Sequence, residues 1–299
     1  MKLRLGAGQR VEYTMAITAQ LVKELRDMTA AGMMDCKKAL VEVEGDLEKA
    51  VDWLRQKGMA KAAKKSGRAT SEGLVTVAAS ADGMHIAMGS LLCETDFVAR
   101  GEQFQAMATR VTQVILEKAP ADAEALDAIL GEEVTQLIAS VGENMQLGKF
   151  ARFSKKSAND VVGQYIHANS KIGVLVYLTC GKAESAAKPE VLELAKNLSM
   201  QVAAASPLAL NAACLDQAAV EREREVYRQK AIEEGKPAQI VDKIADGAVK
   251  KFQKEVCLMD QLFIRDDKKT IADVVREAGK AIGDEIKVTG FERIQLAAE

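Results

Sequence analysis

The sequence predicts an α+β fold, in which short antiparallel sheets are covered by helices. The first observation behind this prediction is composition, because aromatic residues make up 4% of the 299 residues and there is one Trp. All-β sandwiches depend on aromatic and β-branched residues, whereas this chain is rich in the helix-forming Ala, Leu, Lys and Glu. The second observation is a repeat, since two segments each contain two strand-like runs followed by a helical pattern. Together they predict a duplicated antiparallel sheet-plus-helix core, with helices on one face of each sheet.

The first fourteen residues, MKLRLGAGQRVEYT, stand apart from this plan. They contain basic residues but no apolar stretch of the kind that a secretory signal carries. We expect residues 1–14 to be a disordered extension that takes no part in the fold.

Residues 15–68 predict a module of three short helices and a linker. Thr18 is suited to cap the first helix, Gly45 to end the second, and Asp46 to cap a third that ends near Gly58. The Lys-, Ala- and Gly-rich stretch after it predicts a helical tail that runs into the linker. The positions with the helical spacing of a small core are Leu21, Leu25, Met28, Met33, Cys36, Leu40, Val43, Leu47, Val51 and Leu54.

Residues 69–158 predict the first half of the core. Two strand-like runs, Gly73–Ser80 and Met84–Glu94, are joined by Ala81-Asp82-Gly83, and an Asp-Gly pair at this place favours a hairpin turn. A helix follows, and a pair of helices is expected over Ala121–Val141. The residues of the first helix that are spaced for one buried face are Phe104, Met107, Val111 and Val114.

Residues 159–299 predict a second half that repeats the plan. Its strand-like runs are Val161–Ala168 and Ile172–Thr179, and a helix follows them. A further helix and a strand over Ile286–Leu296 complete this half. The apolar positions expected to face the sheet from the first of these helices are Val191, Leu194, Leu198 and Val202.

A charged insertion at about residues 215–256 interrupts the second half. Glu221–Glu234 is rich in Glu, Arg and Lys, and Gly235-Lys236-Pro237 places glycine after one helix and proline at the start of the next. An inserted helical hairpin is therefore predicted. Its charges indicate a solvated helix face, and a docking arm is the alternative. The residues expected in its apolar seam are Ile240, Ile244, Ala248 and Phe252.

The sequence lacks the residues that several kinds of site need. The 41 basic and 43 acidic residues leave a net charge of −2, whereas nucleic-acid binders usually show a basic excess. Five cysteines without a C-x-x-C motif and two histidines predict neither a metal site nor a disulfide framework. One of the two histidines, His167, lies at a strand end. Because acid–base roles need a positioned partner, we interpret His167 as a structural or contact residue rather than as a base. No phosphate-binding glycine motif and no apolar run near the ~20 residues of a membrane span occur. A cytoplasmic binding protein is favoured over an enzyme, and no cofactor, membrane or small-molecule substrate is expected.

Three places predict a surface for a protein partner. Met34 points away from the stripe that contains Met33, so it either contacts a partner or packs against the next module. Thr95 or Asp96 can cap a helix, which leaves Phe97 in the first turn, as a hydrophobic staple or as an exposed side chain that enters a partner. The helical hairpin is the third place.

Several motifs in a fixed order carry a family resemblance. They are ITAQLVKELRDMTAAGMMDCKKAL, LLCETDFVAR, YIHANSKIGVLV, LAKNLSMQVAAASP, EGKPAQIVDKI and KKFQKEVCLMDQLF. They span about residues 16–296, and through them the chain resembles the bacterial elongation factor Ts family. Members of that family are guanine-nucleotide exchange factors of the translational GTPase elongation factor Tu. The resemblance implies that the N-terminal three-helix module is ubiquitin-associated-like.

The resemblance also implies roles for particular residues. In the family, a Thr-Asp-Phe-Val motif inserts beside the magnesium-binding region of elongation factor Tu and disturbs the ligation of metal and phosphate. Here the motif is Thr95, Asp96, Phe97 and Val98. Release of GDP then follows without an active site, a metal or a cofactor on the factor itself. Other contacts with the GTPase are implied for Arg26, Met33, Met34 and His167.

One departure from the family pattern concerns the end of the sequence. Many members continue past the segment that corresponds to Phe291–Leu296 into a last helix that touches the GTPase, whereas this sequence stops at Ala297-Ala298-Glu299. We expect that module to be missing and its contacts to be supplied by the helical hairpin or by the segment Ala119–Gly131.

The sequence is also compatible with two other functions. The three-helix module could serve a protein-binding adaptor, in which case residues 1–66 alone should bind the partner. Alternatively, the basic stretch Lys61–Arg68 could bind RNA in a translation-associated protein, and such binding would depend strongly on salt.

Overall fold

The computed structural model describes residues 17–29 and 31–296, so the extension predicted for residues 1–14 lies outside the described residues. The described residues form helices and small antiparallel sheets, which confirms the predicted α+β class. The helices are α1 (Ala19–Thr29), α2 (Met33–Glu42), α3 (Leu47–Ala63), α4 (Asp96–Ala99), α5 (Glu102–Lys118), α6 (Ala123–Val141), α7 (Ala183–Ala186), α8 (Pro189–Ala205), α9 (Gln217–Glu233), α10 (Ala238–Val256) and α11 (Ile271–Ile282). The strands are β1 (Glu72–Ala79), β2 (His85–Cys93), β3 (Met145–Ser154), β4 (Asp160–Ile166), β5 (Ile172–Cys180), β6 (Leu262–Phe263), β7 (Asp266–Thr270) and β8 (Ile286–Gln295).

Helices α1, α2 and α3 pack together around a small apolar core. Thr18 Oγ1 accepts a hydrogen bond from the backbone N–H of Leu21 at 3.2 Å, and Asp46 Oδ1 accepts one from Lys49 at 3.1 Å. Both predicted caps are thus confirmed. The buried residues of this core are Val22, Leu25, Cys36, Ala39, Leu40 and Ala50.

Two predictions for these helices were wrong. Helix α3 does not end near Gly58 but continues to Ala63, so the helical tail predicted after Gly58 is the last part of the same helix, where Ala and Lys are good helix formers. Gly58 is buried, and a Cβ at this position would lie 3.4 Å from the Cβ of Ala139 on α6, an ordinary van der Waals contact. Met28 and Met33 are exposed rather than part of the core, because they lie at helix ends beyond the packed middle of the three helices.

Each half of the core is a three-stranded antiparallel sheet with helices. The first contains β1, β2, α4, α5, α6 and β3, with the strand order β1-β2-β3. The second contains β4, β5, α7, α8, α11 and β8, with the order β4-β5-β8. The helical hairpin of α9 and α10 and the small sheet of β6 and β7 lie between α8 and α11. The same order of elements thus occurs twice, once with an insertion.

Two features of the first half differ from the prediction. The pair of helices expected over Ala121–Val141 is the single helix α6, which Asp122 caps and which ends at Gly142 with a positive φ of 93°. The third strand, β3, was not predicted, because Met145–Ser154 contains Gly148, two basic residues and no β-branched residue. Its strand conformation is stabilised by antiparallel pairing with β2.

The two sheets pack against each other, and the helices cover their outer faces. Leu175 on β5 and Met88 on β2 are fully buried in a core shared between the sheets. Gly173 permits the close approach, since a Cβ there would lie 2.5 Å from Val75 Cγ1. The predicted helix residues Phe104, Val111, Val114, Val191, Leu194, Leu198 and Val202 are buried and Met107 is partly buried.

Helices α9 and α10 form the predicted hairpin, but its seam differs from the prediction. Val241, Ala245 and Val249 are buried, whereas Ile240 and Ile244 are exposed. Two ion pairs join the helices, Arg224–Asp246 at 2.8 Å and Arg228–Asp242 at 3.0 Å. Because ion pairs at the surface contribute little to stability, burial of the apolar side chains, rather than these pairs, decides which face of α10 is covered. Ala248 and Phe252 are half-buried.

Candidate partner-binding site

The side chain of Phe97 lies on the surface, on a helix of only four residues. It is 84% exposed, whereas Val98 is half-buried and Ala99 is buried against the core of the first half. Thr95 Oγ1 caps the helix by accepting a hydrogen bond from the backbone N–H of Val98 at 3.3 Å. The hydrophobic-staple alternative for Phe97 is therefore wrong, and the ring is available to a partner.

Asp96 begins helix α4 and carries its charge in a local ion pair. Arg100 Nη2 lies 2.9 Å from Asp96 Oδ2, and both side chains are largely exposed. Exposed pairs of this kind contribute little to stability, about 0–1 kcal/mol. The carboxylate of Asp96 can therefore exchange this partner for another at small cost.

Glu143, in the loop between α6 and β3, contacts the start of α4. Its Oε2 accepts a hydrogen bond from the backbone N–H of Thr95 at 3.0 Å, and its Oε1 accepts one from Thr95 Oγ1 at 2.7 Å. Both carboxylate oxygens thus bind one residue, the cap of α4. The sequence prediction did not include Glu143, because the contact joins positions 48 residues apart.

The residues next to Glu143 and Thr95 are also joined. The backbone N–H of Asn144 donates a hydrogen bond to Glu94 Oε1 at 2.6 Å, and this bond is the main cause that lowers the pKa of Glu94. The side-chain amide of buried Asn144 donates to the carbonyl oxygen of Arg68 at 2.8 Å. Arg68 in turn pairs with Glu94 at 3.3 Å. The end of β2, the start of β3 and the linker after α3 are therefore held together.

Cys93, the last residue of β2, also contacts the segment that contains Thr95. Its Sγ donates a hydrogen bond to the carbonyl oxygen of Thr95 at 3.2 Å. Burial raises the pKa of the Cys93 thiol to about 12, so the thiol stays protonated and able to donate.

Arg26, Met33 and Met34 lie on the surface of the three-helix module. Met34 is 64% exposed, so it does not pack against the next module. The turn that precedes α2 borders a cleft of about 370 Å³ between the module and α6. Ion pairs line this cleft, with Lys61 Nζ 2.8 Å from Asp35 Oδ2 and Arg55 Nη2 2.7 Å from Glu132 Oε2.

His167 lies just after β4, on an exposed turn between β4 and β5. Its Nδ1 is 3.1 Å from the hydroxyl of Tyr165. The turn contacts the first half, because Ser170 O accepts a hydrogen bond from Val75 N at 2.7 Å and Lys171 Nζ lies 2.8 Å from Glu72 Oε1. Glu72 is paired with Cys93 across β1 and β2, so the turn and the Thr95–Val98 segment lie at the same end of the first sheet.

The described residues contain no group of three or more His, Cys, Asp or Glu that could hold a metal ion. Over the same residues, none of the helices is both long and apolar enough to span a bilayer. The Thr95–Val98 segment is thus an exposed surface with an apolar ring and a carboxylate, held in place by exposed and partly buried hydrogen bonds.

Comparisons with known proteins point to one family. Residues 94–298 match the family model described as Elongation factor TS. A protein of Desulfovibrio desulfuricans named Elongation factor Ts is 82% identical over 284 residues, which cover 95% of this chain and 99% of that protein. Proteins of the same name from Nitratidesulfovibrio vulgaris and Lawsonia intracellularis are 53% and 46% identical, over 95% of this chain and 97% and 100% of theirs.

Proposed function

The chain belongs to the elongation factor Ts family and is a translation elongation factor, and on this premise we propose that it is a guanine-nucleotide exchange factor. It binds elongation factor Tu in the GDP-bound and nucleotide-free states and promotes release of GDP. The factor works in the cytoplasm, without an active site, a cofactor or a small-molecule substrate of its own.

The observation that carries this proposal is the exposed ring of Phe97 on a short, capped helix. Burying a Phe side chain contributes roughly 2–3 kcal/mol, which can offset the distortion of a partner. Asp96, one residue earlier, brings a carboxylate whose present partner is exposed. A ring and a negative charge that enter beside a bound magnesium ion would displace the ligands of the metal and of the phosphates.

Release of GDP follows from linkage between the two ligands of the GTPase. A factor that favours the nucleotide-poor conformation weakens GDP binding by the same factor by which GDP weakens binding of the exchange factor. Binding energy from other contacts keeps the complex together while GDP leaves. We assign those contacts to Arg26, Met33, Met34 and His167, which are exposed.

The RNA-binding alternative has less support. In the basic stretch after α3, Lys61 pairs with Asp35 and Arg68 pairs with Glu94. Burial is the main cause that lowers the pKa of Lys65. Charges that are already paired within the protein release fewer counterions from a phosphate backbone.

Release of a fluorescent GDP from elongation factor Tu, with magnesium present, tests the proposal. The wild-type chain should accelerate release strongly, and Phe97→Ala should lose most of that acceleration. Leu192→Ala is the matched control, because Leu192 is an exposed apolar residue on α8, far along the chain from the Thr95–Val98 segment. No acceleration by the folded wild-type chain would overturn the proposal.

A further inference from the structure

Both halves of the core place an acidic residue at the same point of their fold. In the first half, α6 ends at Gly142 in the left-handed region and Glu143 follows it. In the second half, α11 ends at Gly283, with a φ of 69°, and Asp284 follows it. In each case the acidic residue precedes the last strand of the sheet, β3 or β8.

The two acidic residues make the same backbone contact. Glu143 Oε2 accepts a hydrogen bond from the N–H of Thr95, the residue that caps α4, at 3.0 Å. Asp284 Oδ2 accepts one from the N–H of Lys182, which occupies the N-cap position of α7, at 2.9 Å. In the first half the Thr95 hydroxyl also donates to Glu143 at 2.7 Å, and in the second half the side chain of Ser185 is the main cause that lowers the pKa of Asp284.

The contact of Glu143 with Thr95 strongly affects the conformation of α4, because this helix is short. A helix of four residues is far shorter than the ~12–15 residues at which isolated helices become marginally stable, so its conformation depends on contacts at its ends. Thr95 is the residue that provides the side-chain cap of α4, and Glu143 binds both the backbone and the hydroxyl of Thr95. Without Glu143 the cap and the helix would sample more conformations, and Phe97 would have to be ordered when the partner binds.

We propose that Glu143 is a positioning residue for nucleotide exchange, which fixes Thr95 and thereby holds Phe97 in the orientation that enters the GTPase. This inference rests on the proposed function, since it concerns the same surface. Glu143 does not itself have to touch the partner. Asp284 makes the equivalent contact in the half that carries no exposed ring on its short helix, so it serves folding alone.

The test compares Glu143→Ala with Asp284→Ala in the full chain, by release of fluorescent GDP at increasing factor concentration. For Glu143→Ala, the maximal release rate should fall about tenfold, with less than about a threefold change in the half-saturating concentration, because preorganisation is lost while the other contacts remain. Asp284→Ala should keep the wild-type maximal rate, even if its thermal midpoint falls as much. Equal maximal rates for wild type and Glu143→Ala would overturn the proposal.

Two further variants separate positioning from a general structural role. Glu143→Gln should restore most of the rate, because an amide can accept from Thr95 N–H and donate to Thr95 Oγ1. In a Phe97→Ala background, Glu143→Ala should lower the rate by less than about twofold, because the ring that it positions is absent. A full tenfold loss in that background, or a Gln variant as slow as the Ala variant, would contradict the proposal.

Amide hydrogen exchange in the free chain gives a readout that needs no partner. Glu143→Ala should speed exchange of the Val98 N–H, which donates to Thr95 Oγ1, and Asp284→Ala should leave it unchanged. If the wild-type chain fails to release GDP but this exchange responds as expected, the proposed function is wrong and the positioning of α4 by Glu143 stands. Unchanged exchange at Val98 would overturn the positioning itself.

Discussion

The two halves of the core differ most at their short helices, although these helices occupy equivalent places. Helix α4 begins at Asp96 after β2 ends at Cys93, and α7 begins at Ala183 after β5 ends at Cys180, so the spacing is the same. Both helices have four residues, and their last residues, Ala99 and Ala186, are buried.

At the second position of the short helix, the first half has Phe97 and the second half has Glu184, and both are exposed. The first helix has a side-chain cap from Thr95, and the second has none from Lys182. The backbone scaffold and the carboxylate that binds the start of the short helix occur in both halves, whereas the exposed ring and the side-chain cap occur in one. A common framework thus carries a specialised surface in one of its two copies.

The first prediction concerns the free energy of unfolding and asks whether the two halves are one folding unit. Leu175→Ala should lower the free energy of unfolding by about 2–5 kcal/mol, because Leu175 is buried in the core shared by both sheets. Urea denaturation followed by circular dichroism should show a single transition at lower urea concentration. Two separate transitions would mean that the halves unfold independently, and the exposed-site variant Leu192→Ala provides the baseline.

The second prediction concerns moving the Phe side chain from one short helix to the other. Phe97→Ala should lower the maximal rate of GDP release about 30-fold, the equivalent of the ~2 kcal/mol for burying the ring. Adding Glu184→Phe should not restore the rate, because α7 lacks the Thr cap and the preceding carboxylate of α4. The rates come from fluorescent GDP release at saturating factor. Recovery in the double variant would mean that either short helix can serve.

The third prediction concerns the cap. Lys182→Thr should raise the thermal midpoint, because it gives α7 a cap that contributes about 0.5–1 kcal/mol, and Thr95→Val should lower it by a similar amount. Calorimetry of the two single variants measures both effects. A Lys182→Thr variant with an unchanged midpoint would show that the Asp284 contact already satisfies the start of α7.

The fourth prediction concerns the pH dependence of the free energy of unfolding, where we expect a smaller change than in the other three. Hydrogen bonds from the Ser185 hydroxyl and the Lys182 N–H lower the pKa of Asp284 below the 3.8 of an unperturbed Asp. A lowered pKa in the folded state means that the stabilisation is present above about pH 4 and is lost as the pH falls further. Asp284→Asn should therefore show a smaller decrease in the free energy of unfolding between about pH 6 and pH 3 than the wild type. An equal decrease in both proteins would contradict this assignment.

Local patterns predicted most of the helices and the strands of the two hairpins. The caps at Thr18 and Asp46 were found because capping depends on residues close in sequence. The seam of the helical hairpin was predicted one residue away from its place, because the burial of Val241, Ala245 and Val249 depends on how α10 is rotated against α9. Periodicity places an apolar stripe on a helix but does not say which of two adjacent stripes a neighbour covers.

In the candidate site too, residues of continuous motifs were predicted, whereas a contact between distant residues was not. Thr95, Asp96, Phe97 and Val98 were identified from one continuous motif, and His167 from another. Glu143 was missed, because an acidic residue after a glycine has no distinguishing pattern until the fold brings it to Thr95. The exposure of Phe97 and Met34 was left open, since a residue at the edge of a helical stripe is covered or free according to its neighbours.

Sequence alone was enough to predict the α+β class, the repeated order of strands and helices, the caps and the motifs that carry the family resemblance. These depend on backbone preferences and on residues within one or two turns of each other. Only the folded chain shows the packing of the two sheets around Leu175, the pairing of β3 with β2, and the contact of Glu143 with Thr95. Such contacts join residues that are distant in the chain, and their geometry exists only once the whole core has closed.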